Sequence, residues 1–280
     1  MKDQYAGDIG DYTKLGLLRA IQRTGLKIGV NWYLTPNDVD NNDVKECGND
    51  CMNCGSYTKA AGKNDGKFTD YLKKTCDTPD AELYCILKKL ICHNKRSVAE
   101  LEKSGVLPGA VYYNERLDFS GAEFSATDAR KCYREKWHNT AMKALKPCKP
   151  CDVVFLDPDN GLEVNSIKPC ALKGNKYVTY KEAADYYKSG ASVIIYNHKD
   201  FTPECVFLKR RRDEFHLIEE TKNAELLCLK APRFSVRYYF ILAQETHEQR
   251  LNEAICAMLK TGWRDYMSRV EVPGSVHGVK

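Results

Sequence analysis

The chain lacks any apolar run near the roughly 20 residues that span a bilayer, so no transmembrane helix is expected. Its opening, Met1-Lys-Asp-Gln-Tyr5, has no apolar core of the kind a secretory signal carries, and a cytoplasmic location is the expectation. Internal repeats and low-complexity tracts are missing as well, which argues against repeat architectures. Charge of neither sign dominates: 43 basic residues against 38 acidic ones leave +5, which permits contact with nucleic acid or nucleotides without requiring it. The densest basic cluster, Lys209-Arg-Arg-Arg212, is followed at once by Asp213 and Glu214 and reads as a solvated helix face.

Cysteine, by contrast, is abundant, at 13 residues. Without a secretory signal a disulfide framework is a poor explanation. Cys85, Cys228 and Cys256 lie in apolar stretches and are expected to be core thiols. Cys47, Cys51 and Cys54 fall in residues 39–64, an insert rich in Asn, Asp, Gly and Lys and almost without aliphatic side chains. A loop of that length is uncommon in a compact domain unless function or a metal orders it. Three thiols at this spacing can converge on zinc, with Cys76, Cys92 or His93 as the fourth ligand. The spacing also resembles the iron–sulfur motif of radical S-adenosylmethionine enzymes, although Asn53 stands where that family has an aromatic residue, and unliganded thiols are a third reading.

With 280 residues and 43% hydrophobic content, one domain over 1–280 can bury a sizeable core. Hydrophobic periodicity predicts helices over 11–24, 81–93, 97–104, 125–145, 179–188, 203–215 and 246–261, with Asp11 capping the first. Apolar and β-branched runs predict strands at 27–35, 111–113, 153–156, 191–196, 225–230 and 235–242. Alternation of the two types predicts a doubly wound α/β sheet, mostly parallel, whose last two strands form an antiparallel edge.

The most informative stretch is Val153-Val-Phe-Leu156, an unbroken apolar run that delivers Asp157, Asp159 and Asn160 into a Pro/Gly turn. Such a run reads as a strand buried on both faces, and ligands of open α/β sheets sit just past such strand ends. The next buried strand ends in Asn197-His-Lys-Asp200. If the two strands are neighbours, Asp157, Asp159, Asn160 and His198 face one crevice, where paired carboxylates suit Mg²⁺ and a nearby His suits proton transfer. Strand-end carboxylates that face a ligand are expected to contribute little to packing. Gly7-Asp-Ile-Gly-Asp-Tyr-Thr-Lys14 opens the first helix and adds Asp8, Asp11 and Lys14 as candidate ligand contacts.

Met1-Lys-Asp-Gln-Tyr5 with Gly7-Asp-Ile9 and Asp11-Tyr12, Ile28-Gly-Val-Asn-Trp-Tyr-Leu-Thr-Pro-Asn-Asp38, Asp65-Gly-Lys-Phe-Thr69, Phe155-Leu-Asp-Pro-Asp-Asn-Gly-Leu-Glu-Val164, Lys176-Tyr-Val178 and Ser192-Val-Ile-Ile-Tyr196 with His198 resemble an uncharacterised group of bacterial proteins, to which the cysteine insert looks like an addition. More remotely, the order of elements is similar to Rossmann-like adenine-N6 methyltransferases of the ribosomal RNA type. That resemblance implies an S-adenosylmethionine site contributed by Asp8, Asp11, Lys14 and Asn31, and a target amine held by Asp157 and Asn160. Two departures stand out. Asp159-Asn160 replaces the Pro-Tyr that supplies a stacking ring, and Asn31-Trp-Tyr-Leu-Thr-Pro36 replaces the glycine-rich turn beside the cofactor.

Three functions are therefore open. The first is a methyltransferase-like enzyme acting on nucleic acid or a nucleotide. In the second, Asp157 and Asp159 bind Mg²⁺ and His198 positions water in a phosphodiesterase or nuclease. The third is a non-catalytic binding module on a degenerate Rossmann scaffold.

Overall fold

The computed structural model describes residues 1–37, 68–73, 78–93, 95–145 and 151–274. The cysteine insert at 39–64 with Cys47, Cys51 and Cys54, and the candidate fourth ligand Cys76, lie outside the described residues, and so does the proposed zinc site.

In chain order the strands are β1 (Ile28–Asn31), β2 (Val111–Tyr113), β3 (Val153–Leu156), β4 (Gly161–Leu162), β5 (Tyr177–Val178), β6 (Ser192–His198), β7 (Glu225–Ala231), β8 (Arg237–Ala243) and β9 (Ser268–Arg269). The helices are α1 (Ile9–Gln22), α2 (Ala81–Cys92), α3 (Val98–Lys103), α4 (Thr127–Leu145), α5 (Tyr180–Lys188), α6 (Glu204–His216) and α7 (Glu245–Leu259). Seven strands form one sheet in the order β2-β1-β3-β6-β8-β7-β9, and β4 and β5 pair separately.

β2, β1, β3 and β6 run parallel, each laid beside the next after a crossover, as an alternating pattern of strands and helices requires. β3 and β6 are neighbours, with Leu156 opposite Ile195, so their carboxyl ends open into the same space. β8 is antiparallel to both β6 and β7. The expected antiparallel pair is present, but its reversed member lies inside the sheet and not at the edge. Its seven residues, Arg237–Ala243, are all buried, which is the composition of an inner strand.

Alternate residues of each strand feed two cores, one per face. Val153, Phe155, Ile194 and Tyr239 pack under α1, α2, α3 and α7, while Val154, Ile195, Tyr238 and Phe240 pack under α4, α5 and α6. Both faces are covered, which explains why β3 shows no polar alternation.

Three expectations need correction. The cap of α1 is Asp8, whose side chain accepts from the Asp11 backbone N–H; Asp11 lies within the helix and is buried. The first strand ends at Asn31, because Trp32 to Thr35 turn away and Tyr33 adopts a left-handed φ of 44°. Of the three expected core thiols, only Cys228 is buried; Cys85 and Cys256 fall on the outward faces of α2 and α7.

Gly16 sits mid-helix in α1, where glycine is unfavourable relative to alanine. A methyl group there would meet the Trp263 ring at 2.2 Å, so glycine is required by packing. Gly16→Ala is expected to lower unfolding free energy by about 1–3 kcal/mol in denaturant melts, the cost of overfilling a packed core. A neutral outcome would mean that Trp263 is free to move aside.

Candidate functional site

α1 precedes β1 and runs against it, so its amino end lies over the carboxyl edge of the sheet. There it meets the turns that follow β3 and β6. A cavity of about 290 Å³ lies at this junction, lined by Asp8, Asp11, Lys14, Asp157, Asp159, Asn160 and His198 among others. Seven of the eight residues expected at the strand ends and first helix therefore share one space. The eighth, Asn31, does not line it: fully buried, its amide donates to the Tyr186 hydroxyl and accepts from the Tyr33 backbone N–H. Further along the same loop, Asp200 pairs with Arg210 and accepts from Thr202, bracing the chain after β6.

The centre of the site is Lys14, 2.7 Å from Asp157 and 2.9 Å from Asp11. Burial opposes its charge, but the two carboxylates outweigh that penalty and hold its pKa well above the ordinary value. Burial also pushes Asp11 up to about 6, with Lys14 opposing and Asp8 and Asp157 adding to the rise. Asp11 accepts the Gly7 backbone N–H at 2.6 Å, which closes the turn before the helix.

Met1 fills the gap between the ends of β1 and β3. Its ammonium group donates to the carbonyl oxygens of Tyr33 and Asp157 at 3.1 and 2.9 Å and lies 2.9 Å from an Asp159 carboxylate oxygen. The Thr35 backbone N–H donates to the Met1 carbonyl, so the chain is stitched in from both sides. Burial disfavours the Asp159 charge, yet the ammonium group, Lys2 and the Thr35 hydroxyl hold its pKa below the usual carboxylate value.

On the far side, Arg237 donates to the Tyr196 hydroxyl at 2.9 Å and lies 3.8 Å from Asp8. The Tyr196 hydroxyl is also 3.0 Å from His198 Nε2. Burial, with Arg237 and Lys14 adding to it, pushes the His198 pKa down to about 4, so the imidazole is neutral at physiological pH. Asn197, the neighbouring candidate, is structural: it accepts from the Leu162 N–H at 2.7 Å and donates to the His198 carbonyl, locking β4 against β6. Gly161 is required beside it, since its φ is 118° and a Cβ would fall 2.3 Å from the Asn197 side-chain oxygen.

Sequence reasoning missed Met1, Lys2, Lys176, Tyr196 and Arg237. Arg237 carried a signal, as a cation opening an otherwise apolar strand; Met1 carried none. A larger hollow of about 680 Å³ lies at the opposite edge, around Lys27, Ile28 and Cys151. It is at the amino ends of the strands, away from the end where open α/β sheets bind ligands. Among the described residues no His, Cys, Asp and Glu side chains cluster as a metal site, and no helix is long and apolar enough to cross a membrane. No protein-family profile matches the chain, and no curated protein matches its sequence.

Asp157 departs from the expectation that a strand-end carboxylate stays out of the packing, because it is buried and ion-paired. Asp157→Asn is expected to cost about 3 kcal/mol, as breaking a buried pair does. Loss below about 1 kcal/mol in equilibrium unfolding would show that Asp11 alone suffices for Lys14. For His198, the native state binds fewer protons than the unfolded state between pH 6.5 and about 4, so stability falls as pH is lowered through that window. NMR titration of its ring protons should show no protonation step between pH 8 and 5; a midpoint near the ordinary value of 6.5 would mean that the site is wet.

Proposed function

We propose that the crevice binds a nucleotide or a nucleic-acid segment on a methyltransferase-like scaffold from which the usual cofactor position has been lost. The fold supports the scaffold: β1 and β3 flank the point where strand order reverses, and β8 is inserted antiparallel beside β6, as in methyltransferase-like Rossmann sheets. The ligand position is the cavity at the ends of β3 and β6, with Asn160, His198 and Lys176 as polar contacts. At about 290 Å³ it lies at the small end of ligand pockets, a size for one nucleoside.

One observation carries the choice among the three readings, and it is the position of Met1. The two strand-end carbonyls and Asp159 suit the amino group of a methionine, and the chain's own Met1 already supplies one. The amino group of S-adenosylmethionine would compete with Met1 for these same partners, which favours binding over methyl transfer. A Mg²⁺ hydrolase is not favoured either, since Asp157 and Asp159 are each neutralised by an internal cation at 2.7 and 2.9 Å. Drawing them onto a metal would leave Lys14 with Asp11 alone and the Met1 ammonium group with carbonyl acceptors but no carboxylate.

Thermal-shift measurements against nucleoside monophosphates, S-adenosylmethionine, S-adenosylhomocysteine, Mg²⁺ and Mn²⁺ test the reading, since a ligand at 100 times its Kd stabilises the native state by about 2.7 kcal/mol. Stabilisation by a nucleotide and not by S-adenosylmethionine or metal alone is the expected result. Stabilisation by S-adenosylmethionine would restore the enzyme reading and require Met1 to leave its place. Stabilisation by metal alone would favour the hydrolase.

A further inference from the structure

Phe234, in the turn between β7 and β8, is 50% exposed and has a left-handed φ of 64°. A bulky side chain rarely adopts that conformation, and glycine would adopt it without strain. An exposed ring kept at such a position gains little core burial in return. Strain of this kind clusters at ligand-binding positions.

Its surroundings indicate what it is for. Phe234 packs edge-on against Phe68, ring centroids 5.9 Å apart, and Phe68 lines the cavity. The Arg237 guanidinium lies 5.9 Å from the Phe68 ring centre. Phe201, in the loop after β6 at the same edge of the sheet, is fully exposed. Lys176 also lines the cavity, and among the described residues no carboxylate pairs with it, unlike Lys14 and Arg237. The site thus combines aromatic faces running outward from the cavity with one uncommitted cation. Aromatic faces stack on any base, and a lone lysine suits a phosphate. A duplex hides its base faces, so the matching ligand is an unpaired base in a single strand.

Accepting that the crevice takes a nucleotide, we propose that the exposed Phe234 ring, braced edge-on by Phe68, is a stacking platform for an unpaired base of single-stranded nucleic acid, with Lys176 contacting its phosphate. Strand continuing beyond the cavity runs past Phe201.

Fluorescence anisotropy with a short labelled single-stranded RNA, and with an abasic oligomer of equal length, tests this in the full chain. The wild type should bind the RNA more tightly than the abasic strand. Phe234→Gly should bind the RNA about tenfold more weakly, lose that preference and melt no lower than wild type, while Phe234→Trp retains binding. Lys176→Ala should weaken both oligomers and flatten the salt dependence by about one phosphate contact. Equal RNA binding by wild type and Phe234→Gly overturns the platform, as does a wild type that does not distinguish RNA from the abasic strand. If a mononucleotide still raises the melting temperature in that case, the crevice reading stands and only the platform fails; if no nucleotide or oligomer binds, both fail.

Discussion

A buried ammonium group cannot stand alone in a protein interior, and Lys14 is buried. The requirement to pair it draws Asp11 on α1 and Asp157 at the end of β3 together, and so fixes the amino end of the helix over the carboxyl edge of the sheet. Much of the site follows from that clamp. With Asp157 turned inward, the strand-end turn leaves Asn160 to line the cavity, and α1 brings Asp8 within reach of Arg237. The same rule of pairing recurs with Met1 and Asp159, so both carboxylates of the turn after β3 are engaged in internal ion pairs.

The charge state of the site has a chemical consequence. His198 is neutral and Tyr196 is pushed up to about 12 by burial, so both are hydrogen-bonding groups at physiological pH and not charged contacts. Neutral groups of this kind avoid the desolvation penalty that charges carry in a buried site. Met1 occupies the gap between the ends of β1 and β3, so part of the carboxyl edge of the sheet is filled by the chain itself. Function belongs to the site and not to the fold that carries it.

The sheet was largely legible from residue patterns. β3 and β6 could be identified as doubly covered because Val153–Leu156 and Val193–Ile195 are uninterrupted apolar runs, and their parallel adjacency followed from a crossover of helical length. Polar residues at both strand ends then located the crevice. The helix cap was misplaced because Asp8 and Asp11 are equally good capping residues in isolation, and packing against Lys14 decided between them. Cys85 and Cys256 were misread because an apolar neighbourhood along the chain does not say which side of a helix a residue occupies.

The sequence by itself determined the seven helices and the six longer stretches that contain the main strands, that both sheet faces are covered and that polar residues gather after β3 and β6, because these depend on short-range periodicity and on the burial each run demands. Only the tertiary structure decided that Asp157 belongs to Lys14, that Met1 plugs the gap between β1 and β3, and that Phe68, Lys176 and Arg237 join the same cavity. Those partners are far apart in sequence. Their meeting depends on strand register and helix docking, quantities that no local pattern encodes.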